Sequence, residues 1–252
     1  MVCCHNDDKL ITSPRGPFYG PLAYGFACGA HLAVHNNVMW NALGDPVADY
    51  ENYTSVLKQS WEITTPEQWR EAVDHLLSGE NTASDGSHIV LGLRAQLFRQ
   101  GVRRVDLPTW RDAIVHWAHP RQVPVEVAGE LINLAGAVLR YEARFRADRL
   151  LPPEGTVHST VAYDFGRAVN MARWGVGARL ADPKHAEWCV VRAGSRARDT
   201  YASWQEYSAG YVLGRVIRFD DEQFSTWYDH ALRGHRFLLS EPGSPWLHLS
   251  FR

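Results

Sequence analysis

Lysine is nearly missing from this chain: of its 26 basic residues only Lys9, Lys58 and Lys184 are lysines, leaving 23 arginines. That bias fits a GC-rich genome and assigns no function. With 28 acidic residues, a formal net charge of −2 and a pI near 6.6, the chain has no bulk positive field. This argues against a nucleic-acid binder that works by neutralising phosphates. The two halves differ little, with 10 basic and 14 acidic residues up to Glu126 and 16 against 14 beyond it. Cysteine is scarce as well. Cys3, Cys4, Cys28 and Cys189 are too few for a disulfide scaffold in 252 residues, which points to a reducing, cytoplasmic setting.

Long apolar runs are lacking too. The stretch Pro21 to Val34 is interrupted by Gly25, Gly29 and His31, and Met1 to Lys9 carries Asp7 and Asp8, so neither a signal peptide nor a membrane span is expected. Strand signals are weak: no run alternates with period two and then meets a hairpin turn, and the single Asp85-Gly86 pair precedes a helix-like stretch. Also absent are Gly-x-Ser-x-Gly, a Gly-x-x-x-x-Gly-Lys phosphate loop and Gly-x-Gly-x-x-Gly after a strand, so no motif calls for a cofactor.

What is present is helical periodicity. Val127, Leu131, Leu134, Val138, Tyr141 and Phe145 recur at gaps of four and three, which predicts a long amphipathic helix from Gln122 to Leu150, stopped by Pro152-Pro153. Thr65-Pro66-Glu67-Gln68 predicts a capping box opening a helix to Leu77, and Asp182-Pro183 a second capped start running to Arg198. Asp221 is expected to cap a segment to Leu232. Further patterns cover roughly Leu22 to His35, His88 to Gln100, Thr109 to His116, Val157 to Trp174 and Ser203 to Phe219. The expectation is an all-α protein, one globular helical domain of about nine or ten helices. A flexible tail would occupy residues 1–15, followed by an N-terminal part at 16–151 and a C-terminal part at 152–252, with a seam near Pro152-Pro153.

The C-terminal part carries the segments Ala162-Tyr163-Asp164-Phe165-Gly166-Arg167-Ala168-Val169, Ala172-Arg173-Trp174-Gly175, Ser203-Trp204-Gln205-Glu206-Tyr207, Tyr211-Val212-Leu213-Gly214-Arg215 and Ser244-Pro245-Trp246. Together, over about Val157 to Phe251, they resemble the bacterial family called domain of unknown function 1266. In that family a helix reading roughly Ala-Trp-Asp-Leu-Gly-Arg leads to a Ser-Trp pair and a Tyr-x-x-Gly-Arg helix. Tyr163 stands here for the usual Trp, and Gly177-Ala178-Arg179-Leu180-Ala181 replaces the usual Gly-Tyr-Ile. The likeness extends less clearly upstream to Trp61-Glu62-Ile63-Thr64. It implies a fold and a bacterial cytoplasmic setting and brings no activity with it.

Two helix faces hold the candidate site residues. Tyr163, Arg167, Asn170 and Trp174 share one face, and Asp164 is three residues before Arg167. Trp204, Tyr207, Tyr211 and Arg215 share another. Gly166 and Gly214 each precede the arginine, and the missing Cβ would let two helix backbones approach closely. Arginine cannot shed its charge, so Asp164 and Glu206 are the expected partners. The cluster Asp164, Arg167, Asn170, Trp174, Trp204, Glu206, Tyr211 and Arg215 is then either a buried ion-pair lattice or a pocket in which Arg167 and Arg215 grip a carboxylate or phosphate.

Histidine pairs at His31/His35, His116/His119 and His230/His235 need a third ligand that the sequence does not place, and the adjacent cysteines of Cys3-Cys4-His5 lack the two-residue gap of a chelating knuckle and a second ligand pair, so no metal is expected. Cys28 and Cys189 and the scattered tryptophans are read as packing. Two functions follow. The first is a non-enzymatic, cytoplasmic bacterial module that binds another protein, for example to neutralise or chaperone it. The alternative is an enzyme or sensor for a small anionic ligand held by Arg167 and Arg215. The Gln122 helix could also serve a homo-oligomer.

Overall fold

The computed structural model of the chain describes residues 9–79 and 86–252. The Cys3-Cys4-His5 cluster and Asp85 lie outside the described residues. Helix starts form where the local chemistry demands them. Thr65 accepts from Gln68 N while Gln68 Oε1 accepts from Thr65 N, closing the expected capping box. Asp182 accepts from the backbone N–H groups of Lys184 and His185, and Ser203 from that of Glu206. In each case a side chain satisfies a donor that the first helical turn leaves open.

Twelve α-helices occur among the described residues, more than the nine or ten expected. They are α1 (Gly20–Cys28), α2 (Ala30–Asn36), α3 (Tyr50–Trp61), α4 (Pro66–Ser78), α5 (Ser87–Arg99), α6 (Leu107–Ala118), α7 (Val125–Ala147), α8 (Ala162–Gly177), α9 (Pro183–Thr200), α10 (Trp204–Phe219), α11 (Thr226–Ser240) and α12 (Pro245–His248). A 3-10 turn at His119–Arg121 follows α6, and no strand occurs among the described residues, only an isolated bridge between Ile11 and Met39. The excess has local causes. The segment expected as one helix from Leu22 to His35 breaks at Gly29 into α1 and α2. Helix α3 buries only Tyr53 and Leu57, too sparse a stripe to read from sequence. The segment expected from Val157 starts instead at Ala162. Asp221 is not a cap: it has φ +48°, and the neighbouring Asp220 accepts from the N–H groups of Phe224, Ser225 and Tyr228 ahead of α11.

Helix α8 is the axis of the molecule. All of its residues are buried except the half-buried Trp174, because α1, α2, α3, α4, α9 and α10 pack around it. Helix α7 lies beyond, against α5, α6 and α10, and α11 covers α10 and α2. One continuous apolar core runs through both halves of the chain. Across the stretch containing Pro152-Pro153, Arg94 forms two bonds of 2.8 Å to Glu142 and one of 2.5 Å to the Val157 carbonyl, while Val157 N donates to Glu142.

The helices approach most closely where side chains are smallest. A Cβ on Gly25 of α1 would lie 2.1 Å from the Val190 carbonyl oxygen of α9. One on Gly214 of α10 would lie 2.9 Å from Tyr163 Cβ and 3.0 Å from the Thr160 carbonyl oxygen. The glycine of the Gly-Arg pair therefore sets the α8–α10 distance, as its position implied. Gly214→Ala is expected to lower unfolding stability by about 1–3 kcal/mol through overpacking. Gly92→Ala, at a helical site with nothing within 4 Å, is expected to raise it by up to about 1 kcal/mol. Urea denaturation of both variants checks the pair, and a neutral Gly214→Ala contradicts the close crossing.

Candidate functional site

The family motif places charged and polar side chains on a helix that has no solvent face, so each needs a partner inside the protein. Asp164 is fully buried and accepts from Arg167 one turn on. The Arg167 guanidinium lies over the Tyr163 ring at 4.2 Å and near Trp61 at 5.9 Å. Arg173, 2% exposed, has no carboxylate partner among the described residues. It donates to the carbonyls of Ala42 (2.9 Å) and Trp40 (2.5 Å) and to Asn170 Oδ1 (2.7 Å). Burial lowers its pKa to about 10, so it remains a cation at neutral pH. Because Arg173 donates to Asn170 Oδ1, the Asn170 amide orientation is fixed, and its Nδ2 has no partner among the described residues. Trp174 lies half-buried beside Trp61, ring centroids 6.2 Å apart.

On α10, Arg215 is 6% exposed. Its Nη1 donates to Tyr211 Oη and its Nη2 to His35 Nε2, each at 3.2 Å, and Nε has no partner among the described residues. Burial raises the Tyr211 pKa to about 12, so the phenol is neutral. Burial, then Arg215, His230 and Arg233, lower His35 to about 4. A neutral His35 accepts at Nε2 from an arginine that can only donate, which places its proton on Nδ1. Arg215 is thus a buried cation held by two neutral acceptors, whereas Arg167 faces a carboxylate. Tyr163 and Tyr211 meet edge to face at 5.3 Å, so the tyrosine pair lies between the two guanidinium groups.

Two expected members lie apart from the arginines. Glu206 is exposed and accepts from Ala202 N at 2.9 Å; a carboxylate in the first helical turn serves the open backbone donors there. Trp204 belongs to an aromatic cluster, stacked on Trp246 at 5.3 Å and edge-on to Phe251 at 4.8 Å, with its indole N–H on the Leu249 carbonyl.

No local pattern announces the network beside Arg215. Ser208 Oγ lies 2.8 Å from both His31 Nε2 and His235 Nδ1, and the His31 ring stacks on Tyr211 at 4.1 Å. His35 and His230 approach to 5.8 Å. Two histidine pairs far apart in sequence therefore converge, although no group of three or more His, Cys, Asp or Glu among the described residues is arranged to hold a metal. Ser208 is fully enclosed, so it acts as a hinge of the network rather than a nucleophile open to substrate. Cys28 and Cys189 are buried thiols, and burial pushes Cys189 up to about 12. A groove of about 590 Å³ between α5 and α6, lined by Leu97, Trp117 and His116 among others, lies away from both arginines.

The family described as "Protein of unknown function (DUF1266)" matches residues 56–251. The chain belongs to this family. The match reaches from α3 to the last residues, so membership is not confined to the C-terminal part from Val157 onward. No curated protein and no solved structure shows significant similarity to the chain. No helix among the described residues is long and apolar enough to cross a membrane.

Two stability predictions follow from these pairings. Asp164→Ala leaves the Arg167 charge buried without its carboxylate and is expected to cost about 3–5 kcal/mol in chemical denaturation; a change below about 1 kcal/mol contradicts the pairing. His235 is held at about 4, and His31 well below its ordinary 6.5, in both cases chiefly by burial. Since these folded values lie below the unfolded ones, the unfolded chain takes up protons first as pH falls. The stability is complete above about pH 6.5 and declines toward pH 4, with roughly 2 kcal/mol lost from His235 alone by pH 5. A urea midpoint that stays constant between pH 7 and pH 5 contradicts this.

Proposed function

We propose that this protein is a binding module for an anionic group, with Arg215 as its anchor. One observation carries the reading: among the described residues, a guanidinium 6% exposed is hydrogen-bonded only to the neutral Tyr211 and His35, and its buried Nε has no partner. A buried cation without a counter-charge is costly, and an anion bringing charge-assisted bonds would offset that cost. Exposed His35 and Trp227 form the rim, and Arg233 lies close enough to His35 to depress its pKa. Arg167, neutralised by Asp164, is read as a structural cation rather than as the second arm of a fork. The ring faces and donors are those of recognition, so the reading is of a sensor or binder rather than of an enzyme.

The second reading is a bacterial, cytoplasmic module that neutralises or chaperones a partner protein. The exposed apolar side chains Phe18, Tyr19 and Met39 around α1 support it.

Thermal denaturation with increasing phosphate, sulfate, acetate and malonate at constant ionic strength tests the anion reading. At least one anion is expected to raise the melting temperature of the native chain in a saturable manner. Arg215→Gln is expected to weaken that binding roughly 10- to 100-fold, the loss of one charge-assisted interaction. Identical responses from the native and Arg215→Gln proteins overturn it, and a protein partner captured equally by both would favour the second reading.

A further inference from the structure

Beside Arg215 lies a feature that core packing leaves unused. Phe219, at the end of α10, and Trp227, at the start of α11, stack with ring centroids 5.2 Å apart and planes 29° apart. Both face solvent, at 43% and 41% exposure. Trp227 also lies over the Arg215 guanidinium, 5.5 Å from ring centroid to Cζ. An exposed, stacked aromatic pair therefore adjoins a buried cation. The His230 ring lies 5.8 Å from that of His35, and Arg233 is one helical turn along α11 from His230.

The chemistry of this juxtaposition selects among anions. A carboxylate carries one charge and two acceptor atoms, which Arg215 alone could meet. A phosphate monoester carries close to two charges and three terminal acceptor oxygens, and suits a site where a second arginine and imidazole groups border the first. A carboxylate or free phosphate would leave the Phe219–Trp227 surface uncovered. A planar ring attached to the phosphate would cover it, since aromatic side chains stack on any flat π-system with little dependence on its identity. The chain's net charge of −2 provides no track for a polyanion, which favours a single phosphate over a nucleic-acid strand.

We infer that the ligand at Arg215 is a phosphate monoester carried on a planar ring, as in a mononucleotide, with the phosphate toward Arg215 and the ring extending the Phe219–Trp227 stack. This rests on the anion-binding reading and narrows it to one ligand class.

Titration calorimetry of the full chain with adenosine monophosphate, phenyl phosphate, adenosine, inorganic phosphate and malonate tests the inference, with tryptophan fluorescence as a second readout. Adenosine monophosphate and phenyl phosphate are expected to bind at least ten-fold tighter than inorganic phosphate, and adenosine weakest of all. Trp227→Leu, or Phe219→Leu should the first variant fold poorly, is expected to remove the ring's ten-fold advantage, so that the variant binds the ring-bearing esters no tighter than inorganic phosphate. Arg233→Gln is expected to weaken both phosphate esters and inorganic phosphate. Equal affinity for the ring-bearing esters and inorganic phosphate overturns the ring assignment, and preference for malonate overturns the phosphate assignment. Either result leaves Arg215-dependent anion binding intact. If no anion binds in a manner that depends on Arg215, the broader reading fails with it.

Discussion

Helix α8 has no face toward water, yet it carries Asp164, Arg167, Asn170 and Arg173, and the rest of the architecture answers that constraint. Burying charge is tolerable only where hydrogen bonds and opposite charges replace water. Each neighbouring element supplies a piece of that replacement. Asp164 serves Arg167 from within the helix, and the carbonyls of Trp40 and Ala42 serve Arg173 from the segment after α2. Polar groups in a dry interior bond well in few arrangements, so the same contacts that offset desolvation also fix how the surrounding helices lie.

The second arginine breaks this rule of internal neutralisation. Arg215 lies on α10, across the Tyr163–Tyr211 contact from Arg167, and its acceptors are a phenol kept neutral by burial and an imidazole whose pKa is lowered by desolvation and by neighbouring cations. Two arginines that look equivalent in the motif thus have different electrostatic surroundings. The difference is why one is assigned to structure and the other to recognition. The His31–Ser208–His235 chain adds rigidity behind Tyr211, since Ser208 links two imidazoles from helices far apart in sequence.

Much of the fold was legible because its signals are local. The capping box at Thr65, the Asp182 cap and the Asp164–Arg167 pair each depend on residues within four positions of one another. The glycine before Arg215 was legible as well, because a missing Cβ at a fixed helical position has one obvious use. What escaped detection depends on distance or on competition. Gly29 splits a continuous apolar pattern because α2 must turn toward α11. Glu206 was assigned to an arginine, but the open N–H of Ala202 is nearer and claims it. Ser208 and its two histidines come together only after α2, α10 and α11 have packed, and the bidentate Arg94–Glu142 pair likewise needs α5 and α7 in place. The reach of the family from residue 56 followed the same pattern: α3 and α4 cradle α8, but their few buried positions carried a weaker signature than the Gly-Arg helices.

Helix α8 is expected to be the last element to lose its structure, and native-state hydrogen exchange measures this directly. Backbone amides from Val169 to Gly175 are predicted to exchange only through global unfolding, with protection equal to the whole stability of the protein, while those of α3 and α6 exchange through smaller openings. Amides of α8 that exchange faster than those of α3 or α6 would show that the buried polar helix is not what holds the structure together.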